Sequence, residues 1–142
     1  MEPMAFQETL TAQHRACDAA FVKIEQAAAR GDWQGATSAL RAFVDETEAH
    51  FGFEEGTLFP ALEAAAPGAR GPTTVMRSEH AQMREMFAGL GEALAARDQD
   101  ALTETADILL LVMQQHNAKE ENVLYPIADR SLSSELLDAR GD

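Results

Sequence analysis

One segment of this chain occurs twice. His50-Phe-Gly-Phe-Glu54-Glu55-Gly-Thr-Leu58-Phe59-Pro60 and His116-Asn-Ala-Lys-Glu120-Glu121-Asn-Val-Leu124-Tyr125-Pro126 both read His-x3-Glu-Glu-x2-Leu-aromatic-Pro, without a gap and 66 residues apart. The other two histidines, His14 and His80, keep the same 66-residue offset, so one duplicated pattern accounts for all four histidines of the protein. Four imidazoles and at least two carboxylates set out with internal symmetry point to a two-metal site.

The duplication lies within a helical pattern. Apolar residues recur at alternating spacings of three and four in four segments, as amphipathic helices packing into a bundle require. The first stripe runs Phe6, Leu10, Cys17, Phe21, Ile24 and Ala28, and the second Leu40, Phe43, Thr47 and Leu58. The third is Met76, Met83, Phe87, Leu90 and Leu94, and the fourth Leu102, Ala106, Leu109, Met113, Val123 and Ile127. The positions missing from these stripes are held by His14, His50, Glu54, His80, His116 and Glu120. These polar residues therefore sit where each helix should face the core.

Leu, Ala, Met, Glu and Gln are abundant while aromatic and β-branched residues are sparse, which favours an all-α protein. A chain of 142 residues is long enough for one well-buried core, and residues 1–142 are expected to form a single domain. Its net charge of −13 repels phosphate backbones and anionic lipid surfaces, so neither nucleic acid nor membrane is an expected partner. The single cysteine, Cys17, has no partner for an internal disulfide. No signal-like apolar stretch follows the N-terminus, where Glu2, Pro3 and Glu8 stand, and the expected location is the cytoplasm. The apolar run from Ile108 to Met113 is far short of a membrane span.

Arg30-Gly31-Asp32 and Arg97-Asp98 mark short turns, with Asp32 and Asp98 placed to cap the next helix. Ala66 to Pro72 is the expected linker between two helical hairpins, roughly residues 4–62 and 73–128, with Thr73 or Thr74 as the cap of the third helix. Pro60 and Pro126 are expected to kink or end the second and fourth helices. A short C-terminal tail, residues 131–142, adds at most a short capped helix through Leu137.

Residues i and i+4 of a helix share a face, so His50 with Glu54 and His116 with Glu120 each form a pair aimed the same way. Six ionisable groups on core-facing stripes would each cost several kcal/mol if buried unpaired, against a total stability of about 5–15 kcal/mol. Two divalent or trivalent cations supply the compensation; the alternative is a polar, hydrogen-bonded core network. Two histidines per metal with both glutamates bridging, plus an oxo or hydroxo bridge, give five ligands each and leave an open position. Mixed nitrogen and oxygen donors at that coordination number suit iron, and manganese less well, whereas zinc usually takes four ligands and often thiolate.

At these residues the chain resembles the hemerythrin-like (HHE cation-binding) family, over nearly its whole length from His14 to Pro126. The match consists of a His on the first helix, His-x3-Glu followed by Leu-Phe-Pro on the second, a His on the third, and a His with a nearby acid on the fourth. The resemblance implies an up-down-up-down antiparallel four-helix bundle, built from two duplicated helical hairpins and holding a non-haem diiron centre. The positions that carry over as metal ligands are His14, His50, Glu54, His80, His116 and Glu120. Oxygen carriers of the family have two histidines four apart on the third helix, and this chain has Met76 at the earlier position, a thioether that is a poor ligand for hard iron. It is thereby more similar to the open diiron centres of relatives linked to iron–sulfur cluster repair and nitric-oxide stress. The carriers also place an acid five residues after the last histidine, which here is Glu121; the duplication selects Glu120, and Glu121 and Glu55 are secondary candidates.

Around this set, Tyr125, the one tyrosine, could hydrogen-bond near the site, but its counterpart Phe59 points to packing. Cys17 reads as a small buried hydrophobe, Met76 as a gap-filler that shapes access, Trp33 as packing at a helix start, and Asp18 as an acceptor orienting an imidazole. The leading functional expectation is a diiron protein binding a small diatomic ligand, dioxygen or nitric oxide, for sensing, storage or detoxification. A redox enzyme handling peroxide or nitric oxide, or an iron donor for iron–sulfur cluster repair, is the second. An iron-responsive module recognised by a protein partner is the third. The sequence sets neither the electron donor nor the oligomeric state.

Overall fold

The amphipathic stripes become six α-helices. In the computed structural model, which describes residues 4–140, these are α1 (Ala5–Ala29), α2 (Trp33–Phe53), α3 (Phe59–Ala65), α4 (Arg70–Ala95), α5 (Gln99–Lys119) and α6 (Tyr125–Ser131). A π-helical turn, Glu54–Leu58, joins α2 to α3, and a second, Glu120–Leu124, joins α5 to α6, so the chain forms four long rods. The most extensive packing is α1 on α2 and α4 on α5, with α2 meeting α4 and α1 meeting both α5 and α6. There is no strand among the described residues, and the arrangement is consistent with a four-helix bundle. Residues 1–3 of the expected domain and 141–142 of the expected tail lie outside the described residues; Ser134–Arg140 forms a 3-10 segment.

The two tight turns are copies of one another. After α1, Gly31 takes φ 75°, its N–H donates to the Ala28 carbonyl and that of Asp32 to the Ala27 carbonyl. After α4, Arg97 takes φ 52°, donating to Leu94, and Asp98 donates to Ala93. Both are Schellman-type endings that satisfy the last free carbonyls of the helix. Each aspartate then caps the next helix as the sequence indicates, Asp32 accepting from the Gly35 N–H at 2.9 Å and Asp98 from the Ala101 N–H at 3.0 Å. Replacing Asp98 by alanine is expected to lower stability by about 1 kcal/mol, seen as an earlier midpoint in urea unfolding followed by circular dichroism.

The expected caps at Thr73 and Thr74 are corrected. Pro67–Ala69 forms a 3-10 turn that leads directly into α4 at Arg70, so both threonines lie inside the helix. The Thr73 hydroxyl donates to Glu63 Oε2 and that of Thr74 to the Arg70 carbonyl. Most of the expected linker is thus helical.

The prolines do not end the helical path either. Pro60 and Pro126 sit in the first turn of α3 and α6, each just after a π turn closed by an i→i−5 bond, Phe59 N–H to the Glu54 carbonyl and Tyr125 N–H to the Glu120 carbonyl. A proline in register would lack its N–H and press its ring on the carbonyl four residues back; one extra residue in the turn removes both conflicts. That residue also moves the buried stripe. Beyond Glu120 the core receives Leu124, Tyr125 and Ala128, whereas Val123, expected inside, is 46% exposed.

Two apolar clusters fill the interior. One, toward the tight turns, gathers Cys17, Phe21, Phe43, Phe51, Met83, Phe87, Leu109 and Met113 among others. The other gathers Phe6, Leu10, Leu58, Phe59, Leu62, Met76, Leu124 and Tyr125. Along α1, His14 falls between Leu10 of one cluster and Cys17 of the other, and along α4 His80 falls between Met76 and Met83. A polar layer therefore crosses the bundle between two apolar ends.

Candidate metal centre

The six residues singled out by the sequence are all in this layer, and all are buried: His14, His50, Glu54, His80, His116 and Glu120. They group into two overlapping sets, each with its ligand atoms within 4.8 Å of one another. One is His14, His50, Glu54 and Glu120; the other is His80, His116, Glu54 and Glu120. Both glutamates belong to both sets, and each set is able to hold one cation.

Every imidazole is held by its outer nitrogen. His14 Nδ1 donates to Glu121 Oε2 at 2.8 Å and His80 Nδ1 to Glu55 Oε2 at 2.7 Å. His50 Nδ1 donates to Gln13 Oε1 at 2.7 Å and His116 Nδ1 to Glu79 Oε1 at 2.8 Å. These outer partners fix both the ring orientation and the tautomer, leaving Nε2 of each ring turned inward. Glu55 and Glu121, secondary ligand candidates from the sequence, thus meet the outer faces of the rings. Asp18, expected as the acceptor, makes no hydrogen bond to His14; Glu121 takes that place because it follows Glu120 on the wide turn.

Whether these groups fit a metal is decided by the inner atoms. With its proton on Nδ1, a neutral imidazole presents a lone pair at Nε2, and here each lone pair meets carboxylate oxygens. His14 Nε2 lies 3.0 Å from Glu120 Oε1, His50 Nε2 3.2 Å from Glu54 Oε2, His80 Nε2 3.1 Å from Glu54 Oε1 and His116 Nε2 3.3 Å from Glu120 Oε1. Acceptors facing acceptors in a dry interior need positive charge between them, either protons or cations. Moreover, Glu54 Oε1, His80 Nε2, His116 Nε2 and Glu120 Oε2 have no hydrogen-bond partner among the described residues. Buried polar atoms are rarely left so, and four in one cluster fit a site shaped for cations.

Without metal the protons must serve. Burial pulls the His116 imidazolium down, but the Glu120 and Glu54 carboxylates and Glu79 outweigh it, and its pKa is pushed up to about 9. His50 is likewise raised well above its ordinary value, Glu54 and Glu120 overcoming burial. Burial would raise Glu120, yet His116, His14 and His50 together hold it well below the usual carboxylate range.

Tyr125 is the residue whose role the sequence understated. Its hydroxyl is fully buried and donates to Glu54 Oε2 at 2.6 Å, with Glu120 Oε1 at 2.9 Å, His14 Nε2 at 3.0 Å and His50 Nε2 at 3.3 Å. Burial and then the charges of Glu120 and Glu54 raise its pKa well above the ordinary phenol value, so it remains a donor. The signal was available in part, since Tyr125 follows Glu120 by five residues, the pitch of the π turn that brings it back over the cluster. Its counterpart Phe59 does pack, with its ring stacked 5.9 Å from that of His80. Met76, where oxygen carriers have a histidine, lies in the apolar cluster beside Leu10, its counterpart in the first half, and is no part of either ligand set. Cys17 is buried, as expected of a small hydrophobe, and burial pushes its thiol pKa up.

Fold and site together define a helical protein carrying a buried histidine–carboxylate centre for metal. The hemerythrin HHE cation binding domain matches residues 5–128, and the chain belongs to that family. No curated protein and no solved structure matches it. The domain match and the His/Glu cluster make it a metal-binding, hemerythrin-like protein. No helix among the described residues is long and apolar enough to cross a membrane.

Proposed function

We propose that this single domain is an up-down-up-down antiparallel bundle of two duplicated hairpins that holds a non-haem diiron centre and binds dioxygen or nitric oxide for sensing, storage or detoxification. The observation that carries the reading is the pair of ligand sets sharing two carboxylates, with four buried donor atoms left unpartnered. His14 and His50 would hold one iron, His80 and His116 the other, and Glu54 and Glu120 would bridge them. Two imidazoles and two carboxylate oxygens fall short of the six-coordinate preference of iron, which supports an open position. The pair of ferrous ions would supply the electrons that bind such a ligand.

The chain's own residues govern what reaches that position. The apolar clusters above and below the layer exclude bulk water. An apolar cleft of about 300 Å³, lined by Pro72, Val75, Met76, Lys119, Val123 and Leu124, lies one helical turn from His80 and suits entry of a small neutral molecule. The Tyr125 hydroxyl is a fixed donor inside the layer, available to a bound ligand bearing partial negative charge. The lone buried thiol is compatible with a reducing cytoplasm.

The test is the metal content of protein purified without oxygen, followed by absorption spectra before and after addition of dioxygen or nitric oxide. About two irons per chain, and a new band that disappears when the gas is removed, are the expected result. Irreversible oxidation would favour a peroxide-handling or cluster-repair role instead. Zinc, or no metal in a folded protein, would overturn the reading.

A further inference from the structure

The two cation positions are built by one duplicated pattern, and four of the places where the copies differ bear on how the imidazoles are held. Tyr125 in the first position corresponds to Phe59 in the second, Gln13 to Glu79, Asp18 to Arg84 and Phe53 to Lys119, each pair 66 residues apart. In the second position both outer imidazole nitrogens meet carboxylates, and each carboxylate is itself pinned by a cation. Arg84 donates to Glu55 at 3.0 Å and to Glu48 at 2.9 Å, and Lys119 donates to Glu79. The His80 ring is further clamped between Phe51, stacked at 3.8 Å, and Phe59 at 5.9 Å.

The first position lacks these supports. His50 meets the neutral amide of Gln13, and Glu121, which holds His14, pairs with no arginine or lysine among the described residues. The inner atoms differ in the same sense. Of the four unpartnered inner atoms, Glu54 Oε1, His80 Nε2 and His116 Nε2 face the second position, whereas the Tyr125 hydroxyl lies within hydrogen-bond distance of His14 Nε2, His50 Nε2 and Glu54 Oε2 of the first and of Glu120 Oε1, which stands between the two. A cation entering the second position displaces only protons, while one entering the first must also turn a buried hydroxyl away from a carboxylate.

Resting on the metal-centre reading above, we propose that the two positions are unequal: His80 and His116 hold the tightly bound cation, and His14 and His50, capped by Tyr125, hold a weaker, exchangeable one. Loss of a single outer-shell partner typically changes metal affinity by about 10–100-fold. The expected gap is therefore at least about tenfold. Tyr125 acts here as a positioning residue, through the carboxylates it engages.

The experiment loads metal-free protein anaerobically with ferrous iron against a competing chelator, reading bound iron directly and helix content by circular dichroism. Two steps are expected, with the tighter removed by His80→Ala and only the weaker by His14→Ala. Tyr125→Phe should tighten the weaker step and narrow the gap, and Gln13→Glu should narrow it further while leaving the fold intact. Two equal steps, a tight step lost in His14→Ala, or a Tyr125→Phe variant that binds its second iron more weakly would each overturn this inference and leave the metal centre standing. Failure of the folded protein to bind any iron would overturn the centre itself, and the inference with it.

Discussion

Removing the metal is expected to lower the melting temperature by roughly 10 °C at neutral pH, and by more as the pH rises. A cation that binds only the folded chain stabilises it by about 4 kcal/mol when present at a thousand times its dissociation constant, and a shift of a few degrees per kcal/mol follows for a chain of this size. The pH dependence comes from the protons that replace the metal. His116 has its folded pKa raised from 6.5 to about 9, so its contribution is complete below about pH 6.5 and is lost as the pH rises through 9. That change corresponds to about 3 kcal/mol. His50 acts in the same direction. Glu120, held well below 4.5, contributes above that value and loses its contribution as the pH falls. Metal-free protein should therefore be most stable between about pH 4.5 and 6.5. Metal binding requires neutral imidazoles and releases protons, so it strengthens over the range in which the metal-free protein weakens. Thermal melts with and without chelator from pH 5.5 to 9 measure the difference; a gap that closes with rising pH would contradict this account of the layer.

Neighbouring glutamates in the repeat should behave very differently. Glu54 and Glu120 belong to both ligand sets, and Glu54→Gln or Glu120→Gln is expected to weaken metal binding by both sets together, by more than the roughly 10–100-fold that loss of an outer partner costs. Glu55 and Glu121 touch only the outer nitrogens of His80 and His14, and the corresponding glutamine variants should each weaken one position, by about 10–100-fold. Glutamine preserves volume and packing, so helix content should hold in all four. Metal analysis after equilibrium dialysis separates the cases, and equal losses at Glu54 and Glu55 would defeat the assignment of inner and outer roles.

Much of the fold was legible because the stripes on α1 and α4 follow the ordinary helical period throughout, and all residues expected to face inward there are buried. The candidate cluster was legible for a related reason. A histidine or glutamate on such a stripe is conspicuous, and the 66-residue repeat removed the doubt that attaches to any one of them. Reading failed where the period changes. A pattern of 3.6 residues placed Val123 and Ile127 in the core and turned Tyr125 into packing by analogy with Phe59. The π turn, which no residue type announces, advanced the stripe by one position and carried the phenol into the layer. The threonine caps failed by a different route, since Pro67 opened a 3-10 turn that let α4 begin before either threonine.

The wide turns have one more consequence. A helix able to choose between α and π hydrogen bonding can slip by a residue, rotating everything beyond the slip by about 100° around its axis. Pro60 and Pro126 remove that choice, because the narrower turn would drive their rings into the carbonyls of Gly56 and Asn122. Neither proline belongs to a ligand set, yet each acts as a detent on the rotation of its rod beyond the turn, fixing the angle at which Phe59 or Tyr125 is presented to the layer.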